Sequence, residues 1–151
     1  MIYTIGYEGS ELDNFLRTLD GVGVSVLIDV RDRAQSRKKG FSKSALSQAL
    51  EEVGIKYLHF PKLGDPKEGR QAARSGDIAL FRKIYSNVLS TREAQVEINK
   101  IKEIAKEKKV CLMCFERNPK ECHRKMITDE IDSSTSIGIR HIGVQKYEQA
   151  A

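Results

Sequence analysis

The sequence predicts a single three-layer α/β domain, with a mostly parallel sheet of about five strands and helices on both faces. Two observations carry that expectation. Short, nearly continuous apolar runs, such as residues 24–30 and 110–114, alternate with amphipathic helical segments. Strands that read apolar throughout are strands covered on both sides. The chain length is the second observation. With 151 residues, 40% of them apolar and 31% charged, there is material for one packed core and little room for two.

Residues 1–5 read as a short strand closed by Gly6. Ser10 with Asp13 three places on marks a helix start, and Leu12, Phe15, Leu16 and Leu19 follow at helical spacing. Residues 22–30 form a second strand, interrupted at Gly23 and Ser25. Ser42 opens a helix with a stripe of Leu46, Ala49, Leu50 and Val53, ended by Gly54. Residues 55–60 are a third strand stopped by Pro61. The stretch 61–76, rich in Gly, Pro and charge, is expected to be a long mobile loop. Asp77 caps a helix carrying Ile78, Phe81, Tyr85 and Val88, and Thr91 starts another with Ala94, Ile98, Ile101 and Ala105 on one side. Residues 110–115 are a fourth strand. Asn118, Pro119 and Glu121 then supply the cap, first-position proline and early acid of a helix beginning at Asn118. Residues 137–144 are the last strand, and the tail after about residue 145 is expected to fray.

Twenty-six Lys and Arg against 21 Asp and Glu give a net charge of +5, compatible with an anionic partner but too small to demand nucleic acid. No run approaches the ~18 apolar residues of a membrane span. The first residues lack the succession of a signal peptide. The three cysteines all lie between Cys111 and Cys122, which excludes a secreted disulfide framework as the organising principle. The expectation is a soluble cytoplasmic domain with reduced thiols.

Every unusual polar cluster follows a strand: Gly6 to Gly9, Asp29 to Lys39, His59 to Asp65, and Cys114 to Arg124. In a parallel sheet these positions are the carboxyl ends of the strands, where open α/β folds bind ligands. Arg31, Arg33, Arg37, Lys38, Lys39 and Lys43 face the single acid Asp32 within thirteen residues, a local excess equal to the charge of the whole chain. Such a cluster either holds phosphate through forked and point-charge contacts or is a solvated loop. In the last cluster, a strand delivers Cys114 to the rim of the sheet and the helix start at Asn118 faces it. A helix end of this kind holds an anion or lowers a thiol pKa. Glu116 and His123 are candidates for proton transfer. The alternative is structural: buried free cysteines, and a core histidine on the stripe of Ile127 and Ile131.

A zinc centre built on Cys111, Cys114, Cys122 and His123 is not expected, because Cys111 and Cys114 are three apart in a strand and point to opposite faces. Neither a Cys-x5-Arg phosphatase loop nor a glycine-rich dinucleotide or triphosphate loop is present, so no cofactor and no metal are expected.

Several of these residues carry a resemblance. Thr4-Ile5-Gly6-Tyr7, Ile28-Asp29-Val30-Arg31, the Leu63-Gly64 pair and the spaced Cys114-x-Glu116-x-x-Pro119-x-x-Cys122-His123-Arg124 are similar to a bacterial and archaeal family known as domain of unknown function four-eight-eight. His141-Ile142 resembles its closing strand. Asp65 departs from the pattern, since another glycine is expected after Leu63-Gly64. The resemblance implies an α/β domain with a polar site and leaves the reaction open.

These readings combine into one expectation: an enzyme acting on an anionic substrate, whether a phosphorylated small molecule, a nucleotide or nucleic acid, at the strand ends. Cys114 is the candidate nucleophile, Glu116 or His123 the proton carrier, and Asp29 the residue that orients Arg31. Tyr7, Glu8, Arg31, Arg124, Arg37, Lys38 and Lys39 are expected to bind the substrate. The alternative is a non-catalytic nucleic-acid-binding module using the same basic rim. No membrane partner is expected.

Overall fold

In the computed structural model, which describes residues 1–147, alternate strand residues enter two separate cores. The strands are β1 (Ile2–Gly6), β2 (Val26–Asp29), β3 (Lys56–His59), β4 (Val110–Cys114) and β5 (Ile139–His141). They form one all-parallel sheet in the order β3-β2-β4-β1-β5. β4 therefore lies at the centre, with Val110 opposite both Ile2 and Val26.

One face is covered by α1 (Leu12–Val22) and α2 (Lys43–Glu52). There Tyr3, Ile5, Leu27, Cys111 and Met113 meet Phe15, Leu19, Leu46 and Leu50. The other face carries α3 (Lys67–Arg74), α4 (Ile78–Leu89), α5 (Arg92–Ala105) and α6 (His123–Ser134). Ile2, Val26, Ile28, Val110 and Leu112 pack there against Phe81, Tyr85, Ile98, Ile101, Ile127 and Ile131. This division follows from connectivity. Crossovers β1→β2→β3 run one way along the sheet and β3→β4→β5 run back, and right-handed crossovers in opposite directions put their helices on opposite faces. The sheet is thus the three-layer, doubly covered parallel sheet that the apolar strands predict.

Several local expectations are corrected. The N-cap position of α1 is Glu11 rather than Ser10, with no side-chain cap hydrogen bond, and the helix runs through Val22, so β2 starts only at Val26. The stretch 61–76 is not a loose loop. It holds a 3-10 turn (Pro61–Leu63) and α3, tied down where the Tyr85 hydroxyl donates to the Leu63 carbonyl at 2.6 Å. Asn118 and Pro119 open only a second 3-10 turn (Pro119–Glu121), and α6 begins later, at His123 with Cys122 as its cap residue. The Asn118 side chain does accept from the Lys120 backbone, so the cap signal is real but local. The last strand is shorter than residues 137–144 and covers Ile139–His141. After it, the Gln145 amide donates to Thr18 at 2.9 Å and the Tyr147 amide to Asn14 at 3.2 Å. The rest of the tail expected to fray, residues 148–151, lies outside the described residues. Among the described residues, no helix is long and apolar enough to cross a membrane.

Leu112 is wholly buried in the central strand between β1 and β2. Leu112→Ala is expected to cost about 2–5 kcal/mol through lost burial and an unfilled cavity. Urea unfolding should show a lower midpoint with an unchanged slope.

Candidate functional site

The carboxyl ends of β1, β2 and β4 surround a cleft of about 490 Å³. It opens beside β4, where crossovers to opposite faces diverge and the chain leaves room between them. Tyr7 enters from the end of β1; Arg31, Arg33, Arg37 and Lys38 come from the segment after β2. Asp65, Arg70 and Arg74 come from the segment after β3, and Cys114, Phe115 and Glu116 follow β4, with His123 from α6.

The first of these contributions is fixed by a buried ion pair. Asp29 is fully buried and takes a two-pronged contact from Arg31, with Nε at 2.9 Å and Nη2 at 2.7 Å. The Arg31 amide at 3.1 Å and the Tyr57 hydroxyl at 2.5 Å also donate to this carboxylate. The remaining Arg31 nitrogen, Nη1, donates to the Phe41 carbonyl at 2.7 Å and the Tyr7 hydroxyl at 3.1 Å. Burial alone would lower the Arg31 pKa, but Asp29 outweighs it and holds the guanidinium above its ordinary value. Tyr57 is likewise pushed up, by burial and by Asp29. Asp29 does orient Arg31, as expected, but it lies behind the cleft wall. Most of Arg31's donors are engaged there rather than offered to a ligand.

The β4–α6 segment is built around a second buried arginine. Arg124 is wholly buried and reaches back along the loop, donating from Nη1 to the Glu116 carbonyl and from Nη2 to the Arg117 carbonyl, both at 2.9 Å. Nη1 also lies 3.4 Å from Cys114 Sγ, and Nε is buried without a partner among the described residues. Burial pushes its pKa down to about 10. Gly6 is required here, because a Cβ would overlap the Glu116 carbonyl and the Arg124 guanidinium. Glu8 accepts from the Arg117 amide at 3.0 Å and so fastens the same loop. Arg124, Glu8 and the exposed Lys39 do not line the cleft, whereas Tyr7, Arg37 and Lys38 do.

Cys114 and Cys122 are joined as a disulfide, which corrects the expectation of reduced thiols, and Cys122 precedes α6 instead of lying inside a helix that begins at Asn118. Cys111 is free and buried on the opposite face, as strand alternation required. His123 donates from Nε2 to the Val30 carbonyl at 2.7 Å, leaving Nδ1 3.6 Å from Cys122 Sγ. Burial lowers its pKa to about 4, so the ring is neutral at neutral pH. A Glu116 carboxylate oxygen and the two sulfurs lie within 4.8 Å of one another, a donor set for a thiophilic cation only if both sulfurs were thiolates.

The carboxyls that the cleft holds away from water are Asp65 and Glu116. Asp65 is 6% exposed, its Oδ1 has no partner among the described residues, and the lack of a side chain at Gly69 gives it room. Its pKa is pushed up to about 7 by burial and then by the charge of Glu116, against the opposing pull of Arg70. Glu116 is half-buried and also raised, mainly by burial. Arg70 donates to the Asp65 carbonyl at 2.8 Å and pairs with Asp32 at 3.3 Å. Sequence reasoning missed Asp65, Arg70, Arg74 and Phe115 as site residues. The signal for Asp65 was its place after the third strand, in the polar cluster from His59 to Asp65.

The family model described as Domain of unknown function DUF488 matches residues 11–131, and the chain belongs to that family. No curated protein and no solved structure matches the chain.

Asp29→Asn is expected to destabilise the fold by about 3–5 kcal/mol by leaving Arg31 buried and uncompensated. Tyr57→Phe should cost only about 1 kcal/mol, both measured by urea unfolding. For Asp65 the folded pKa near 7 stands above the unpaired value of 3.8, so the ionised form is penalised in the fold. Its cost is absent below about pH 4, grows as pH rises, and is complete above about pH 7. Asp65→Asn should therefore gain stability over the parent across that window. A pH-independent difference between the two proteins would contradict this assignment.

Proposed function

We propose that this DUF488 family member is an enzyme that holds a phosphate-bearing substrate in the cleft and moves protons with Glu116 and Asp65. One observation carries the reading: two carboxyls with raised pKa values share a cleft with Arg33, Arg37, Lys38, Arg70 and Arg74. The cations match an anionic substrate by charge. The carboxyls match general acid–base work: Asp65, pushed up to about 7, both donates and accepts a proton at working pH, and burial shifts Glu116 in the same direction. Binding alone gives no reason to keep a poorly partnered acid among arginines, since an ionised carboxylate there opposes an anion and a buried unsatisfied one costs stability.

The Cys114 nucleophile is not part of this reading while its sulfur is bonded to Cys122. Arg31 and Arg124 act as positioning residues, one holding the wall that carries Arg33 to Lys38 and the other holding the loop that presents Glu116. A second reading, a nucleic-acid-binding module, is favoured by a different observation. Arg33 and Gln35, which line the cleft, also line a second hollow of about 800 Å³ with Ser42, Lys43, Ser44 and His59. Phe115, 43% exposed beside Tyr7, offers a face on which a base can stack.

Amide chemical shifts followed during titration with inorganic phosphate should move together at Arg33 to Lys38 and Arg70 to Arg74. Arg74→Ala is expected to weaken phosphate binding by about tenfold. Turnover is sought in a panel of phosphomonoesters, nucleotides and oligonucleotides. Against any compound that is turned over, Glu116→Gln and Asp65→Asn should each lower kcat by about 10²–10⁴-fold, with phosphate binding retained or tighter. Binding of oligonucleotides without turnover, unaffected by these two variants, would select the second reading. No response to phosphate or to oligonucleotides would overturn both.

A further inference from the structure

We propose that the Cys114–Cys122 disulfide is a redox-active pair, opened by a small dithiol through attack at Cys114 and closed again by a disulfide oxidant. The surroundings of the two sulfurs are arranged for the open state. Arg124 is wholly buried, yet the hydrogen-bond partners of its fork are two backbone carbonyls and Cys114 Sγ, and its Nε has none. A disulfide is neutral and offers this guanidinium no counter-charge. A Cys114 thiolate at the same 3.4 Å contact would supply one.

On the other sulfur, His123 commits its Nε2 hydrogen to Val30, so the lone pair of Nδ1 is the side that faces Cys122 Sγ at 3.6 Å. That nitrogen is placed to accept a thiol hydrogen, which Cys122 has only when reduced. Cys122 is also the cap residue of α6, a twelve-residue helix whose amino end favours negative charge on a leaving sulfur.

A purely structural staple explains these features poorly. The bond closes a sequence separation of only eight residues, and a short loop removes less chain entropy than a long one. The same loop is already held by Arg124 and by Glu8. Cys114, though almost wholly buried, lines the cleft, whereas Cys111 lies on the opposite face of the sheet.

The exchange balances as follows. A thiolate of the dithiol attacks Cys114 Sγ, the S–S bond breaks, and its electron pair leaves on Cys122 Sγ, which takes a proton from solvent and, as a thiol, hydrogen-bonds to His123 Nδ1. The second thiol then attacks the reductant's own sulfur in the mixed disulfide, loses its proton to solvent, and forms a cyclic disulfide. Cys114 is released as a thiolate beside Arg124. The dithiol is oxidised by two electrons and the protein pair is reduced by two.

The native chain is equilibrated in graded ratios of reduced to oxidised dithiothreitol, alkylated with iodoacetamide and weighed intact. The expected result is a reversible two-electron transition in which Cys114 and Cys122 are labelled together and Cys111 is not. In Cys122→Ser, the Cys114 thiol is expected to react with 5,5′-dithiobis(2-nitrobenzoate) at least about tenfold faster than Cys111 in the same protein. Should Cys122→Ser fail to fold, the transition in the parent carries the test alone. A disulfide that resists reduction until urea unfolds the chain would overturn the proposal and make the bond a staple. Cysteines that escape alkylation because the protein is isolated with a stoichiometric thiophilic metal would overturn it as well.

Discussion

The buried contact between Asp29 and Arg31 sets the geometry on which the rest of the cleft depends. A carboxylate with no exposure to water is tolerated only when its lone pairs are filled, and here the Arg31 fork, the Arg31 amide and the Tyr57 hydroxyl fill them. Because Tyr57 belongs to β3 and Asp29 to β2, the same contact joins two strand ends. Arg31 extends it to β1 through Tyr7 and to the far side of the basic segment through the Phe41 carbonyl. The stacked rings of Tyr7 and Phe41, 4.4 Å apart, close the circuit on the apolar side. Arg33 to Lys38 are thereby a wall with both ends tied, instead of a charged loop free in solvent.

Arg124 presents the opposite solution to the same problem. Where Arg31 meets a carboxylate, Arg124 meets carbonyls and a sulfur, and its pKa falls while that of Arg31 rises. Two buried carboxyls, one behind the cleft wall and one in the cleft, differ in parallel. Asp29 is surrounded by donors, whereas the partnerless oxygen of Asp65 faces burial and the charge of Glu116. One pair of charged groups makes scaffold, and the other keeps an unspent electrostatic cost next to the open cavity.

Much of the fold was legible in the sequence because its strongest signal, apolar strands alternating with amphipathic helices, reflects burial directly. The placement of Cys111 and Cys114 on opposite faces followed from strand periodicity alone, and the convergence of polar clusters at one rim followed from their places after strands that run parallel. α3 escaped detection because its segment offers only Ala72 and Ala73 as apolar contacts and depends on neighbours for its stability. The start of α6 was displaced by a local cap signal at Asn118 that serves a single turn. Composition also does not distinguish an arginine turned inward from one turned towards a ligand. Arg31 and Arg37 look alike as letters, and only the carboxylate two residues before Arg31 separates their fates.

The position of β4 also determines when the sheet can close. β1 has no sheet contact with β2, the next strand in the chain; its two neighbours are β4 and β5, formed from residues beyond 109. During synthesis from the amino end, β2 and β3 can pair early, while β1 has both of its edges unsatisfied until most of the chain has emerged. Its docking is thus a long-range event, with a loop-closure entropy set by more than a hundred intervening residues, and the arrival of the central strand is the step that joins the two halves of the sheet.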